Sequence, residues 1–285
     1  MKDGKNKNFF LLSPVFYLTK RITEDPVPFL FFGFLIGLKM YHFMSKLEFV
    51  TDFVSIMYGI DQSFHGLKTI FFSRPILDLV YTIAAILFDG IIIFSYLIRL
   101  KPAGEGGKAQ GFRERWYPII TVLFPMIAFT YLLYRPIPLE SDLLFHNLYQ
   151  SQSFIHIVGL AGLIFSLVGC ILSIMALLKL RGSFSLMVEV RRLVRTGMYK
   201  YIRHPLYFSE LTHALGTTLL LLNSVTIPIY IIFFIMEVIR AKFEERKFLE
   251  TLPEYDAYRA ETGFFFPKFR TLLGKQQVSQ NSYQT

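Results

Sequence analysis

The segment Arg195–Glu210, "RTGMYKYIRHPLYFSE", combines residue types that can bind and align a charged ligand. Basic side chains, three tyrosines, a His-Pro pair and a carboxylate stand directly before a strongly apolar stretch. Proline suits the first position of a helix, where its missing N–H would be unpaired, so a helix is predicted to begin at His204-Pro205. The free N–H groups of that first turn, with Arg203 beside them, predict a seat for a carboxylate or phosphate.

Aromatic side chains surround this predicted seat. Tyr199, Tyr201 and Tyr207 offer flat faces that can stack on an adenine or hold a cation over a ring. The same residue types also form the basic-aromatic belts of membrane proteins. Both interpretations stay open on this segment alone.

Ionisable residues recur at helical spacing in the last two apolar segments. Glu210 and His213 share one helix face, and Glu237 and Arg240 share another. A charge within a membrane span is costly and needs a partner or a function. If the chain turns near residue 224, Glu210 meets Arg240 and His213 meets Glu237.

These two pairs receive different interpretations. We expect His213 and Glu237 to form a structural ion pair. Arg240 lies one turn before Glu244 and near the cytosolic interface, so we expect it to face a ligand. Structural pairing remains the alternative for both.

The tail that follows is acidic and aromatic. It carries Glu244 and Glu245, then Tyr255, Tyr258 and the run Phe264–Phe266. Because a hairpin returns to the side that it left, this tail must lie beside the His204 turn. Acids, bases and aromatics then line one cytosolic pocket, which suits a ligand with a carboxylate, an ammonium, hydroxyls and a flat base, such as S-adenosylmethionine.

The composition places these segments in a membrane. Of the 285 residues, 53% are hydrophobic and 17% are aromatic, and the apolar residues come in long blocks. The fold class predicted is all-α, a polytopic integral membrane protein of about six transmembrane helices with a C-terminal helical hairpin. The predicted spans are Val27–Met44, Ile76–Ile98, Tyr117–Tyr134, Phe154–Leu178, Leu206–Leu222 and Ile227–Ala241.

The distribution of charge predicts the orientation and narrows the function classes. Alternate segments hold 25 and 4 Lys and Arg residues, which predicts that both termini are cytoplasmic. Loop topology explains the net charge of +9 better than nucleic-acid binding does. Cys170 is the single cysteine, so neither a disulfide framework nor a cysteine-based zinc site is expected.

Three motifs together resemble the isoprenylcysteine carboxyl methyltransferase family, which is related to phospholipid N-methyltransferases. They are "RGSFS" at 181–185, "RRLVRTGMYKYIRHPLY" at 191–207, and "EERKFLETLPEYDAY" at 244–258 followed by Phe266-Pro267. The resemblance covers about residues 154–268. The chain departs from the family pattern at Met198, where proline is usual, which predicts a looser turn.

The resemblance implies an integral membrane methyltransferase that uses S-adenosylmethionine on a lipid-like acceptor, most simply the carboxylate of an isoprenylcysteine. It implies that Arg240 faces the acceptor, and Glu210 is the candidate base if the acceptor is an amine. No metal is expected. With the pocket reasoning, the expected cofactor-binding residues are Leu193, Val194, Tyr199, Arg203, His204, Pro205, Leu206, Tyr207, Glu244, Glu245, Tyr255 and Tyr258.

Three alternatives remain: phospholipid N-methylation, a sterol-type NADPH-dependent membrane reductase, and a membrane scaffold without catalysis. Residues 151–270 are interpreted as the methyltransferase core and 271–285 as a disordered tail. Residues 1–150 are N-terminal transmembrane helices of uncertain role. A bacterial inner membrane is the expected location, and the oligomeric state is open.

Overall fold

A computed structural model of the chain describes residues 100–134 and 151–268. It also describes scattered residues within 30–41 and 83–98, together with residues 142 and 145. The predicted spans Val27–Met44 and Ile76–Ile98 lie largely outside the described residues, and the predicted disordered tail 271–285 lies wholly outside them.

Residues 100–134 and 151–268 form five α-helices and no β-strand, as the all-α prediction expects. Two short 3₁₀ turns, Arg181–Ser183 and Gly197–Lys200, stand between the second and third helices, and one isolated parallel bridge joins Ile202 to Gly263. The helices are α1 (Gly111–Tyr134), α2 (Gln152–Leu180), α3 (Pro205–Leu220), α4 (Thr226–Thr251) and α5 (Tyr255–Glu261).

Two described helices are long and apolar enough to cross a membrane. The candidate spans are Gly111–Leu132 and Ser153–Ser183, which overlap the third and fourth predicted spans. In α2 the large side chains of Ile157 and Ile171 are 68% and 57% exposed, which is unlike the core helix of a soluble protein. An exposed apolar surface of this kind is suited to contact with lipid.

Small residues bring α2 and α3 into close contact. A Cβ added at Gly169 would collide with the backbone of His213, and one added at Gly216 would collide with the backbone of Ser166. Ser173 donates a hydrogen bond to Ser209 across the same interface at 2.8 Å. Small side chains of this kind let transmembrane helices approach closely and pair their polar groups.

The predicted turn before α4 is confirmed. The Asn223 side-chain oxygen accepts from the N–H groups of Val225 and Thr226 at 2.9 and 3.0 Å. The backbone N–H of Asn223 in turn donates to the Thr226 hydroxyl at 3.0 Å. These bonds satisfy donors that a helix start leaves free, and Pro228 follows in the first turn, where its missing N–H costs nothing.

Helix α4 is longer than the sixth predicted span. The predicted span ended at Ala241, but α4 continues without a break to Thr251, because no Gly or Pro lies between those residues. Neither α3 nor α4 is long and apolar enough to count as a span. The six-span topology therefore stays a prediction.

The glycine-rich loop "KPAGEGGKAQG", residues 101–111, reads as a flexible linker from its composition. The structure corrects that interpretation. Ala103 donates to the carbonyl of Val190 at 2.8 Å, and Val190 donates to the carbonyl of Gly107 at 2.9 Å. A Cβ at Gly107 would lie 2.6 Å from the carbonyl oxygen of Val190, so the close approach of the two chains requires glycine at this position.

The close approach of α2 and α3 gives a matched pair of variants. We predict that Gly216→Ala destabilises the protein by about 1–3 kcal/mol, because the new methyl group meets the α2 backbone. Gly159→Ala, on the same pair of helices, meets no atom within 4 Å and is expected to be neutral or slightly stabilising. Unfolding in detergent micelles measures both, and equal stabilities would contradict this packing.

Candidate active site

The start of α3 lies against two carboxylates of α4. His204, the residue before Pro205, is 5% exposed. Its Nε2 lies 3.2 Å from an oxygen of Glu245, and its Nδ1 lies 3.6 Å from an oxygen of Glu244. The basic-aromatic segment and the acidic tail are therefore neighbours, as the sequence predicted.

Arg203 binds to the protein itself rather than offering a free cation. Its Nε donates to Glu245 at 2.5 Å, and its Nη1 donates to the carbonyls of Thr262 and Arg259 at 2.5 and 3.2 Å. Arg203 is therefore already paired, and the anion seat at this helix start stays a prediction. Two ionised acids beside the same turn also disfavour an anion there.

A C-terminal strap, residues 262–266, fixes the turn from the other side. The backbone N–H of Arg203 donates to Gly263 at 2.8 Å, and that of His204 donates to Phe264 at 3.3 Å. The ring of Phe264 lies 4.9 Å from that of His204. A Cβ at Gly263 would collide with the carbonyl of Phe266, so the strap needs glycine at this position.

The electrostatics of this cluster favour the charged forms. Burial lowers the pKa of His204, but hydrogen bonds and charge from Glu244 and Glu245 outweigh it and raise the pKa above its ordinary value. Burial raises the pKa of both carboxyls, but hydrogen bonds from His204 outweigh it. The pKa of Glu244 is therefore lowered, and that of Glu245 is lowered to about 2, with help from Arg203. Both acids are carboxylates at neutral pH.

An open cleft of about 690 Å³ borders this cluster. Two tyrosines of its wall are fixed by the fold, since the Tyr258 hydroxyl donates to the carbonyl of Tyr199 at 2.7 Å. Burial raises the pKa of both phenols, so they are neutral. The cleft is lined by Leu180, Ser183, Phe184, Ser185, Glu189, Arg192, Leu193, Val194, Tyr199, Arg203, His204, Leu206, Tyr207, Glu244, Phe248, Tyr255 and Tyr258.

The structure brings most of the predicted cofactor-binding residues into this one cleft. Pro205 and Glu245 are the two that do not line it: the first begins α3, and the second lies behind His204 and Arg203. Those that line it are Leu193, Val194, Tyr199, Arg203, His204, Leu206, Tyr207, Glu244, Tyr255 and Tyr258.

Sequence reasoning missed one wall of the cleft, which Phe184, Ser185, Glu189 and Arg192 line. In "SFSLMVEV", residues 183–190, buried and partly exposed residues alternate. This period of two was the available signal. Ser183 on this wall has a buried hydroxyl without a hydrogen-bond partner.

Met198 does not prevent the turn that the family pattern builds with proline. The N–H groups of Tyr201 and Ile202 donate to the carbonyl of Met198 at 3.0 and 3.1 Å. Gly197 supplies a φ of +63°, which favours glycine. The expected loosening of the turn is therefore not seen.

Arg240 lies in a buried cluster beyond the cleft. Its Nη1 is 3.3 Å from Glu237 and 3.8 Å from Glu210, which confirms the predicted pairing with Glu210. Its guanidinium carbon lies 4.6 Å from the centre of the Tyr207 ring. Tyr207 lines the cleft, and neither Arg240 nor Glu210 does. The three charges leave Glu210 Oε2, Glu237 Oε2 and Arg240 Nε without a hydrogen-bond partner.

His213 contacts α2. Its Nδ1 lies 3.0 Å from the carbonyl oxygen of Ser166 and 3.2 Å from its hydroxyl. The predicted pair between His213 and Glu237 stays a prediction. Among the described residues no group of His, Cys, Asp and Glu side chains is arranged to hold a metal ion.

A profile of known families identifies the segment that builds most of this cleft. Residues 162–250 match the isoprenylcysteine carboxyl methyltransferase family. The match lies inside the range 154–268 in which the motifs suggested it, so the resemblance is confirmed for this segment. It includes α3, most of α4 and the missed wall.

Two individual proteins are similar to this chain. The protein-S-isoprenylcysteine O-methyltransferase of Saccharomyces cerevisiae is 32% identical over 124 residues, which are 38% of this chain and 52% of the relative. The chain thus spans about half the length of that relative. A solved eukaryotic intramembrane Ras methyltransferase of the same family is 17% identical, with a TM-score of 0.40, over 89% of this chain and 95% of that one.

The contacts of His204 with Glu244 and Glu245 predict that the stability of the protein depends on pH. Because the folded pKa of His204 is raised, its contribution is fully present below the unfolded value of about 6.5 and is lost as the pH rises through the folded pKa. Glu245 acts in the opposite direction, and its contribution is lost only as the pH falls towards about 2. We therefore expect the stability advantage of wild type over His204→Gln to shrink between about pH 6 and pH 9.

Thermal unfolding of both proteins in micelles across this range measures the difference. Every other titrating group is common to the two proteins, so their effects largely cancel. An advantage that is constant or grows with pH would show that His204 is not charged beside Glu244 and Glu245.

Proposed function

We propose that the protein is an integral membrane methyltransferase that transfers a methyl group from S-adenosylmethionine to a lipid-like acceptor. The proposed acceptor is the carboxylate of an isoprenylcysteine-type substrate. One observation carries the proposal: the family-matched segment folds so that Glu244, His204, Tyr199 and Tyr207 line a single cleft. The family match also favours methyl transfer over a sterol-type reductase.

The residues of the cleft fit S-adenosylmethionine. Ionised Glu244 and the rings of Tyr199 and Tyr207 suit its two cationic groups, the ammonium and the sulfonium. Ser183 lies on the wall opposite Glu244, and its unpartnered hydroxyl can form a hydrogen bond with a polar ligand. We assign the ten cleft-lining residues predicted from the sequence to this cofactor, with Pro205 and Glu245 supporting them from behind.

Methyl transfer to a carboxylate requires little chemical participation by the side chains. When bound, the cofactor supplies an electrophilic methyl group on a sulfonium sulfur. A carboxylate acceptor is already a nucleophile, so no residue needs to remove a proton. In such a transfer an O–CH₃ bond would replace the S–CH₃ bond, and the electron pair of the broken bond would stay on sulfur, while the residues of the cleft would hold the cofactor in place. Catalysis then rests on alignment by the fixed tyrosines and on exclusion of water.

Arg240 defines the acceptor side of the proposed site. It lies against the face of Tyr207, whose ring also lines the cofactor cleft. Tyr207 therefore separates the two sides by the thickness of one ring. An acceptor whose tail remains in the bilayer would reach this point from the membrane, whereas the polar cofactor would enter from the cytosol.

One observation favours a second candidate function, methylation of an amine such as that of a phospholipid. Arg240 is already paired with Glu237 and Glu210, so this buried cluster carries one excess negative charge when all three groups are ionised. A group that donates hydrogen bonds fits such a cluster better than another carboxylate does. Glu210 would then be the base that accepts the proton of the amine.

The location follows from the same proposal. The exposed apolar surface of α2 supports a membrane protein, and a cytosolic cofactor requires the His204 turn to face the cytosol. Both termini would then be cytoplasmic, in agreement with the charge distribution. The bacterial inner membrane stays a prediction.

Cofactor affinity tests the assignment of Glu244. We predict that Glu244→Gln weakens binding of S-adenosylhomocysteine and S-adenosylmethionine roughly 10- to 100-fold, because a charged partner of the ligand is lost. Glu250→Gln is the matched control: it lies on the same helix in an exposed pair with Arg246. Calorimetry in micelles measures both, and equal affinities would remove Glu244 from the site.

The compound that receives a labelled methyl group identifies the acceptor. Membranes containing the protein are incubated with methyl-labelled S-adenosylmethionine and a panel of prenylcysteines, fatty acids and phospholipids. We expect label on a prenylcysteine carboxylate and a rate nearly flat down to about pH 5. Label on a phospholipid amine, with a rate that falls as a base protonates, would establish the second function. Binding of NADPH without S-adenosylmethionine would contradict both.

A further inference from the structure

The missed wall of the cleft has no regular structure of its own. Between the 3₁₀ turns Arg181–Ser183 and Gly197–Lys200 the chain forms neither helix nor strand. Six of the residues that line the cleft nevertheless lie on this stretch: Phe184, Ser185, Glu189, Arg192, Leu193 and Val194. Ser185 and Arg191 both donate hydrogen bonds to Glu189 within the wall, and contacts from outside the wall add to these.

One outside contact comes from α4, where Arg240 donates to the carbonyl of Leu186 at 3.3 Å, and the others described here come from residues 100–114, which precede the family-matched segment. The wall residue Val188 donates to the carbonyl of Glu114 at 2.9 Å, and Val190 donates to the carbonyl of Gly107 at 2.9 Å. Both valines are buried on this side. Buried and partly exposed residues alternate here, so Glu189, which stands between the two bonded valines, is left facing the cleft.

The Glu114 side chain joins this wall to α4. Its carboxylate lies 2.7 Å from the ammonium of Lys247, and the same oxygen accepts from the backbone of Gln110 at 2.6 Å. The Lys247 side chain is only 6% exposed. Lys247 stands three residues after Glu244, which faces the cleft from the opposite side. Glu114 is thus tied to one wall by its backbone and to the other by its side chain.

We infer that Glu114 and Lys247 are positioning residues for the cofactor, which set the separation of the two walls of the cleft. The inference rests on the proposed function. It gives a role to a part of the N-terminal half, where the family match does not reach. Neither residue lines the cleft, so both act through the residues that do.

The expected signature is a loss of cofactor affinity without a loss of chemistry. A wall displaced by the absence of the pair binds the cofactor less well, but a complex that has formed still holds Tyr207 and Arg240 in place. A purely structural pair would lower the unfolding temperature and leave the dissociation constant of the folded protein unchanged.

Lys247→Met carries the test, because it removes the charge and keeps the length of the side chain. Glu114→Gln is less suitable, since it leaves a buried ammonium without its counter-charge. Lys108→Met is the matched control: Lys108 pairs with Glu105 at 2.6 Å in the same loop, but the pair is exposed. Lys247→Arg keeps the charge and serves as the conservative variant.

The measurements are the dissociation constant of S-adenosylhomocysteine by calorimetry in micelles, kcat at saturating S-adenosylmethionine, and the unfolding temperature. For Lys247→Met we expect binding weakened about tenfold and kcat changed less than about twofold. Lys247→Arg is expected to bind within about threefold of wild type. Lys108→Met should match wild type in both quantities.

Two results would overturn the inference. The first is a folded Lys247→Met protein that binds S-adenosylhomocysteine as wild type does. The second, which applies even if the Met variant does not fold, is a folded Lys247→Arg variant that loses kcat while its affinity is unchanged. If wild type itself binds no S-adenosylhomocysteine, the proposed function fails, and the inference fails with it.

Discussion

The contact between Glu245 of α4 and the Arg203-His204 pair decides where the rest of the cleft lies. It joins the start of α3 to a point more than halfway along α4, and the sequence separation of His204 and Glu245 is 41 residues. Both side chains of the contact are largely withdrawn from water, so the separated charges would each be costly. With this contact made, Glu244 faces His204, Tyr207 faces the cleft, and the strap of residues 262–266 can close over the turn.

The charges of the site are arranged by depth. At the start of α3, His204 and Arg203 balance the two acids of α4, and the carbonyl of Thr262 in the strap accepts a further hydrogen bond from Arg203. One ring further in, Arg240 lies between Glu237 and Glu210, and three polar atoms of this cluster have no partner. The cluster around His204, whose charges are balanced, suits a structural role. The cluster around Arg240, whose hydrogen bonds are incomplete, suits a place where a methyl acceptor binds.

Local signals in the sequence were sufficient for much of this arrangement. The His-Pro pair located the start of α3, the break between two apolar segments located a turn near residue 224, and spacing along the two helices paired Glu210 with Arg240. The sequence failed where long-range backbone contacts decide the outcome. No local sequence signal near Gly107 indicates that its carbonyl accepts a hydrogen bond from Val190. The loop was therefore interpreted as a linker, and the wall of the cleft that contains Glu189 was missed. Arg203 seemed available to an anion because its acceptors, the carbonyls of Arg259 and Thr262, lie more than fifty residues away.

A double-mutant cycle between Arg203 and Glu245 tests the central contact most directly. The free energies of unfolding in micelles are measured for wild type, Arg203→Gln, Glu245→Gln and the double variant. A coupling of roughly 1–3 kcal/mol, with cofactor affinity lost in either single variant, is the result that a cleft fixed by this contact requires. Additive effects within about 0.5 kcal/mol, or single variants that bind the cofactor as wild type does, would contradict it.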